Sequence, residues 1–209
     1  MKSKLKIGLF IWLIVFIGIP SMTFAAPTFR IDMDASAPGL QTDIWVTPGG
    51  SFTTNIEVLL NNSSDSLSSF GFSTLWDTGE LSTPTAGNIT TSALAAGWTD
   101  LSYWKIESPY IYNFSQVNFG YSQGPLTATV ATINWTASNP ATDGFIDIMP
   151  GFYSVFDAAY DKDGSEVTPT FEGGKVNLVP EPISSILFLS GGAALAARNY
   201  LRRRIKNKI

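Results

Sequence analysis

An all-β fold, an antiparallel β-sandwich, is predicted by three observations on the stretch between Pro27 and Leu178. Apolar residues recur with period two, turn residues break the runs at short intervals, and no ten-residue amphipathic helix occurs before residue 183. Alternation sends one set of side chains to a core and the other to water, as an antiparallel strand requires.

In chain order, Phe29, Ile31 and Met33 alternate with Arg30, Asp32 and Asp34. Phe52, Thr54, Ile56, Val58 and Leu60 alternate with Thr53, Asn55, Glu57 and Leu59, and Phe70, Phe72, Thr74 and Trp76 with Gly71, Ser73 and Leu75. Further strands are predicted at 101–106, 110–115, 126–135, 145–149, 152–156, 168–171 and 175–178. Pro48-Gly49-Gly50, Asn61-Asn62-Ser63-Ser64, Asp143-Gly144, Asp163-Gly164 and Gly173-Gly174 supply the turns. Residues 82–96 read as a surface loop with one helical turn.

All seventeen acidic residues lie between Asp32 and Glu181, and residues 26–181 hold four basic ones, Arg30, Lys105, Lys162 and Lys175. That stretch therefore carries −13, which the whole-chain value of −4 conceals. Such a surface repels phosphate backbones and excludes nucleic acid as a partner. The chain has no Cys and no His. A disulfide framework, a thiol nucleophile, a Ser-His-Asp arrangement and histidine-ligated zinc are all ruled out. The fold stands on its core alone, and its length suits one domain.

The two ends read as export signals. Lys2, Lys4 and Lys6 precede an apolar run from Ile7 to Ile19, closed by Pro20 and the small pair Thr23 and Ala25. This is the layout of a secretory signal over residues 1–25, with cleavage between Ala25 and Ala26. An uncleaved anchor is the alternative. At the other end, residues 179–209 hold Pro180-Glu181-Pro182, a run of fifteen residues without charge from Ile183 to Ala197, and the cations Arg198, Arg202, Arg203 and Arg204. Fifteen helical residues span about 22 Å, short of a hydrocarbon core of about 30 Å. Extension over 183–201 gives about 28 Å with Arg198 snorkelling to the headgroups. The basic tail, 202–209, stays on the cytoplasmic side. An ordinary single-pass anchor is the alternative.

Motif, apolar run and basic cluster in that order resemble the PEP-CTERM sorting signal of Gram-negative bacteria. The resemblance implies recognition by an exosortase, which processes the tail near Pro180, Glu181 and Pro182. A second, looser resemblance covers most of Ile31 to Val179. Val46-Thr47-Pro48-Gly49-Gly50-Ser51-Phe52 leading to Phe70-Gly71-Phe72-Ser73-Thr74-Leu75-Trp76-Asp77, and Tyr160-Asp161-Lys162-Asp163-Gly164 leading to Phe171-Glu172-Gly173-Gly174-Lys175-Val176, are similar to cohesin-like domains. It implies a jelly-roll-like sandwich of about nine strands over 26–178, to which the two ends add an N-terminal signal helix and a C-terminal transmembrane helix. No residue carries over the dockerin partner of cellulosomal cohesins.

Two groups of residues are candidates for ligand contact. Tyr103, Trp104, Tyr110 and Tyr112, with Trp98 and Tyr121 nearby, could stack on sugar rings; Tyr110 and Tyr112 share a face if they lie on a strand. The alternative puts tryptophans 45, 76, 98, 104 and 135 in the core. Asp157, Asp161, Asp163 and Glu166 form the densest acidic group and are the only candidate ligands for a cofactor, calcium. Glu166 stands where an EF-type loop needs Gly, so a plain hairpin turn on Asp163-Gly164 is the competing reading.

The expectation is a non-enzymatic protein exported through the inner membrane, transiently held by one span, then placed at the cell surface or in the extracellular matrix. Its role there is structural or adhesive, in biofilm or exopolysaccharide. Its partners are signal peptidase, the exosortase, the inner membrane during transit and an exopolysaccharide. A carbohydrate-binding module using surface aromatics and an acid-pair glycoside hydrolase are the alternatives.

Overall fold

The structure, a computed structural model, describes residues 26–179. The expected signal segment with Ala25, the sorting motif Pro180, Glu181 and Pro182, the span 183–201 and the cations Arg198, Arg202, Arg203 and Arg204 lie outside the described residues. Among the described residues, no helix is long and apolar enough to cross a membrane.

Short strands account for nearly all the regular structure. In order they are β1 (Thr28–Asp32), β2 (Asp43–Val46), β3 (Ser51–Leu60), β4 (Ser66–Trp76), β5 (Ile89–Thr91), β6 (Trp98–Asp100) and β7 (Lys105–Glu107). There follow β8 (Tyr110–Gln123), β9 (Leu126–Thr136), β10 (Ile148–Gly151), β11 (Ala158–Tyr160), β12 (Thr170–Glu172) and β13 (Lys175–Leu178). One sheet runs β12-β1-β3-β9-β5. The facing sheet runs β10-β4-β8-β6, with β11 also on β4 and β7 also on β8. A separate parallel pair joins β13 to β2. β3 pairs β9 while β4 pairs β8, so a long ribbon is wound across both sheets, as in a jelly roll.

The core lies between the sheets. On β3, Phe52, Thr54, Ile56, Val58 and Leu60 are buried and the residues between them are not, as their alternation predicts. Phe29 of β1 meets Phe70 and Phe72 of β4 at 5.4 and 5.1 Å between ring centroids, and Phe72 stacks on Phe114 of β8 at 5.1 Å. Trp76 and Trp135 pack at 6.0 Å, and the Trp135 indole N–H donates to Thr54 Oγ1 at 3.0 Å, so that its one polar atom is satisfied. Fully burying each such ring stabilises the fold by about 1.5–3 kcal/mol.

Several expectations need correction. Trp45 is 57 % exposed rather than in the core, because Val46 beside it turns inward and neighbours on a strand face opposite ways. About nine strands become thirteen, because the short strands β2, β5, β6 and β11 lie where no alternation marks a strand. Of the stretch 101–106 only Lys105 and Ile106 are strand, in β7; 101–104 run irregularly along a bulged β8, and β6 lies just before them. The stretch 145–149 becomes a strand from Ile148 only, and 168–171 becomes β12. The predicted strand 152–156 is no strand at all; it is an excursion between β10 and β11. In the 82–96 loop the helical turn is a 3-10 turn, Ala86–Asn88, and β5 follows it.

Candidate functional site

The excursion builds the most distinctive surface of the sandwich. Gly151 at the end of β10 faces Ser73 of β4, and Ala158 at the start of β11 faces Gly71. Residues 152–157 therefore loop out over a single β4 position, Phe72, which faces inward. One carboxylate holds this strap. Asp157 Oδ2 accepts from the Ser73 hydroxyl at 2.7 Å and from the backbone N–H groups of Tyr153 and Ser154, both at 2.8 Å. Burial pushes the Asp157 carboxyl up, against these three donors. Gly71 lets the strap lie close: a Cβ there would sit 2.9 Å from the Phe156 carbonyl oxygen.

The strap sorts its apolar residues. Phe152 turns in and meets Phe171 edge-on at 5.1 Å. Val155 and Phe156 turn out and are 94 % and 79 % exposed. Tyr153 reaches the outer face of β8, where its ring lies 5.3 Å from that of Tyr110. Tyr110 in turn stacks on Tyr112 at 5.3 Å and 23°. These two face outward because Ile111 between them faces in, completely buried. Just beyond, Tyr112 and Asn113 on β8 oppose the lone Ser73 on β4, a β-bulge, and Asn113 takes a φ of 67° that suits Asn better than most residues.

A cleft of about 320 Å³ opens between strap and bulge, lined by Lys105, Glu107, Tyr112, Asn113, Tyr153, Ser154 and Phe156. Lys105 and Glu107, two residues apart on β7, form an ion pair at its rim. Burial raises the phenols of Tyr112 and Tyr153, and the neighbouring Tyr110 adds to both shifts. These phenols stay protonated at physiological pH, so each hydroxyl can donate as well as accept a hydrogen bond.

Of the four residues expected to stack on sugar, the structure brings Tyr110 and Tyr112 together and leaves Tyr103 exposed. Trp104 is withdrawn. It packs against the core, 6.5 Å from Phe114, because it follows Tyr103 on an extended segment and points the other way. Trp98 is buried, its indole N–H donating to Ser122 Oγ at 2.7 Å, while Tyr121 is exposed. Tyr153 and Phe156 escaped the sequence reading because they approach β8 only through the fold; Gly71 within a strand was the one local sign of a close approach.

The acidic quartet is not assembled. Asp157 is engaged in the strap, Asp161 Oδ1 accepts from the backbone N–H groups of Asp163 and Ser165, and Glu166 bridges back to Tyr160. Gly164 at a φ of 74° completes a plain turn. Among the described residues, no group of three or more metal-ligating side chains converges. Ala26 opens the described residues and is half-buried.

The carboxyl most altered by its surroundings is Asp147, which is 2 % exposed. Burial pushes it up to about 6, the charges of Glu80, Asp143 and Asp77 add to that, and the Val176 N–H donating to Oδ2 at 2.6 Å opposes it. Its Oδ1 is buried without a partner. A second cleft is lined by both Asp77 and Asp147, with Asp147 Oδ2 engaged by the Val176 N–H. Paired acid chemistry needs two carboxyl groups facing a bound sugar.

No family model and no curated protein matches the chain. Among solved structures it is similar to a non-cellulosomal cohesin from Archaeoglobus fulgidus at 10 % identity and a TM-score of 0.46, over 77 % of this chain and 96 % of that one. It is similar to a cohesin module of a family 33 glycoside hydrolase from Clostridium perfringens at 11 % and 0.48, over 74 % and 99 %. A cohesin from a Clostridium thermocellum cohesin–dockerin complex gives 14 % and 0.45, over 74 % and 99 %. The assignment as an all-β sandwich rests on the strand pairing itself.

Proposed function

We propose that this chain is an exported, non-catalytic protein of the cell surface or extracellular matrix, with a structural or adhesive role in biofilm or exopolysaccharide. The observation that carries the reading is the outer face of the β4–β8 sheet. There a rigidly tied strap displays Val155 and Phe156 to solvent beside the tyrosine stack. Exposed apolar residues grouped in this way mark an interaction surface. Cohesin-like architecture is part of the same proposal.

Delivery is assigned to the two ends: signal peptidase cutting between Ala25 and Ala26, the inner membrane holding 183–201 in transit, and an exosortase processing the tail at Pro180-Glu181-Pro182. Calcium bound near Asp161 and Asp163 is a subordinate proposal, motivated only by their acidity. Mass spectrometry of the mature protein from its native host tests delivery. The expected product begins at Ala26, ends close to the motif and is recovered from the surface or matrix. Recovery of only full-length, membrane-held chains overturns the reading. Deleting 180–209 should leave the domain unprocessed in the periplasm or medium.

A further inference from the structure

The cleft between strap and bulge combines three properties that a single class of ligand requires. A pyranose ring has apolar C–H faces and a rim of hydroxyl groups, so its receptor needs flat apolar surface beside hydrogen-bonding groups. Tyr112, Tyr153 and Phe156 supply the first; Asn113, Ser154, Lys105 and Glu107 supply the second. At about 320 Å³ the cleft falls at the small end of the range of roughly 300–1,000 Å³ for small-ligand sites.

Charge narrows the class. Lys105 and Glu107 neutralise each other at the rim, leaving no net cationic group for an acidic sugar. The surrounding stretch, residues 26–181, carries −13 and repels polyanions. Rigidity completes the case. Tyr110 lies against both Tyr112 and Tyr153 at 5.3 Å, and Asp157 fixes the backbone that carries Tyr153 and Ser154. Rings already immobilised lose little conformational entropy when a ligand arrives.

We infer that this cleft is a binding site for a short stretch of neutral polysaccharide, with Tyr112 and Phe156 as contact residues and Tyr110 as a positioning residue. The inference rests on the matrix reading only for the source of the glycan.

Affinity electrophoresis of the full chain, in a sugar-free polyoxyethylene detergent, tests it. The gels contain galactomannan, mixed-linkage β-glucan, xylan or dextran, and alginate as the anionic comparison. Retardation by at least one neutral polymer and not by alginate is expected. Tyr112→Ala and Phe156→Ala should each weaken that binding about ten-fold, equivalent to roughly 1.4 kcal/mol, while Tyr112→Phe keeps it within about two-fold because the ring is retained. Melting curves of the same variants confirm that the sandwich is folded. The inference is overturned by failure of every neutral polymer to bind, by preference for alginate, or by undiminished binding in the Tyr112→Ala, Phe156→Ala double variant. A failure of export or processing in the host leaves these gels unaffected and counts against delivery alone.

Discussion

Ser73, in the middle of β4, donates its hydroxyl proton to Asp157 Oδ2 at 2.7 Å, joining the outer face of the sheet to a loop far along the chain. The same oxygen takes two backbone N–H groups of that loop, so one carboxylate decides whether 152–157 lies on the sheet or lifts from it. Replacing Asp157 with Ala leaves three donors without their acceptor. At about 1 kcal/mol net for each bond, the expected loss is about 2–3 kcal/mol. Urea denaturation measures it, and a loss below about 0.5 kcal/mol would mean that the strap is held by other contacts.

Two phenylalanines separate core from display. Phe72 is completely buried and its ring lies within 6.0 Å of those of Phe29, Phe70 and Phe114. Phe72→Ala should cost about 3–5 kcal/mol through lost burial and the cavity left behind. Phe156→Ala should change stability by no more than about 0.5 kcal/mol, since its ring faces water. Equal losses in denaturant titrations of the two variants would contradict this division.

How much of this was legible in the sequence depends on the distance over which each feature is determined. The alternation of Phe52 to Leu60 is a local property, and β3 matches it to within one residue. Tyr110 and Tyr112 share a face as strand geometry demands. The residues 152–156 mimic a strand in composition, yet their pairing is refused by the partner, where β10 and β11 occupy β4 on either side of Phe72. Nothing local distinguishes an aromatic run that enters a ladder from one displaced outward. Asp157 lies close to Asp161 and Asp163 in sequence, whereas its donors come from β4 and from the strap. Trp104 could have been excluded from the outset, because it and Tyr103 cannot point the same way on an extended chain.

Asp147 predicts a pH dependence. Its carboxyl is pushed up to about 6 by burial, so the folded protein holds this proton more tightly than the unfolded chain. The group's contribution is therefore most favourable at acid pH and is lost as pH rises through about 6. Asp147→Asn removes the buried charge and keeps an oxygen to accept the Val176 N–H. The variant should match the parent near pH 4 and exceed it increasingly towards pH 7, by no more than about 3 kcal/mol. Subtracting the two pH–stability curves cancels the other titrating groups. A difference that does not vary between pH 4 and 7 would show that Asp147 keeps an ordinary affinity for its proton.

The final strand sets where the domain can be trimmed. Along β13, the Val176 N–H donates to Asp147, the Lys175 N–H to the Thr42 carbonyl at 2.9 Å, and the Val179 N–H to the Val46 carbonyl at 3.0 Å. Pro180 has no N–H and cannot extend that ladder. A stop after Val179 should therefore leave the melting temperature within about 2 °C of the parent. A stop after Gly174 removes the buried Val176, uncovers Val46 and takes away the only donor to the Asp147 carboxylate among the described hydrogen bonds. The expected cost is about 3 kcal/mol, or roughly 6–12 °C for a domain of this size. Calorimetry of the two truncations decides the point. Equal melting temperatures would mean that β13 is dispensable, whereas the expected gap confines any maturation cut that spares the sandwich to positions beyond Gly174.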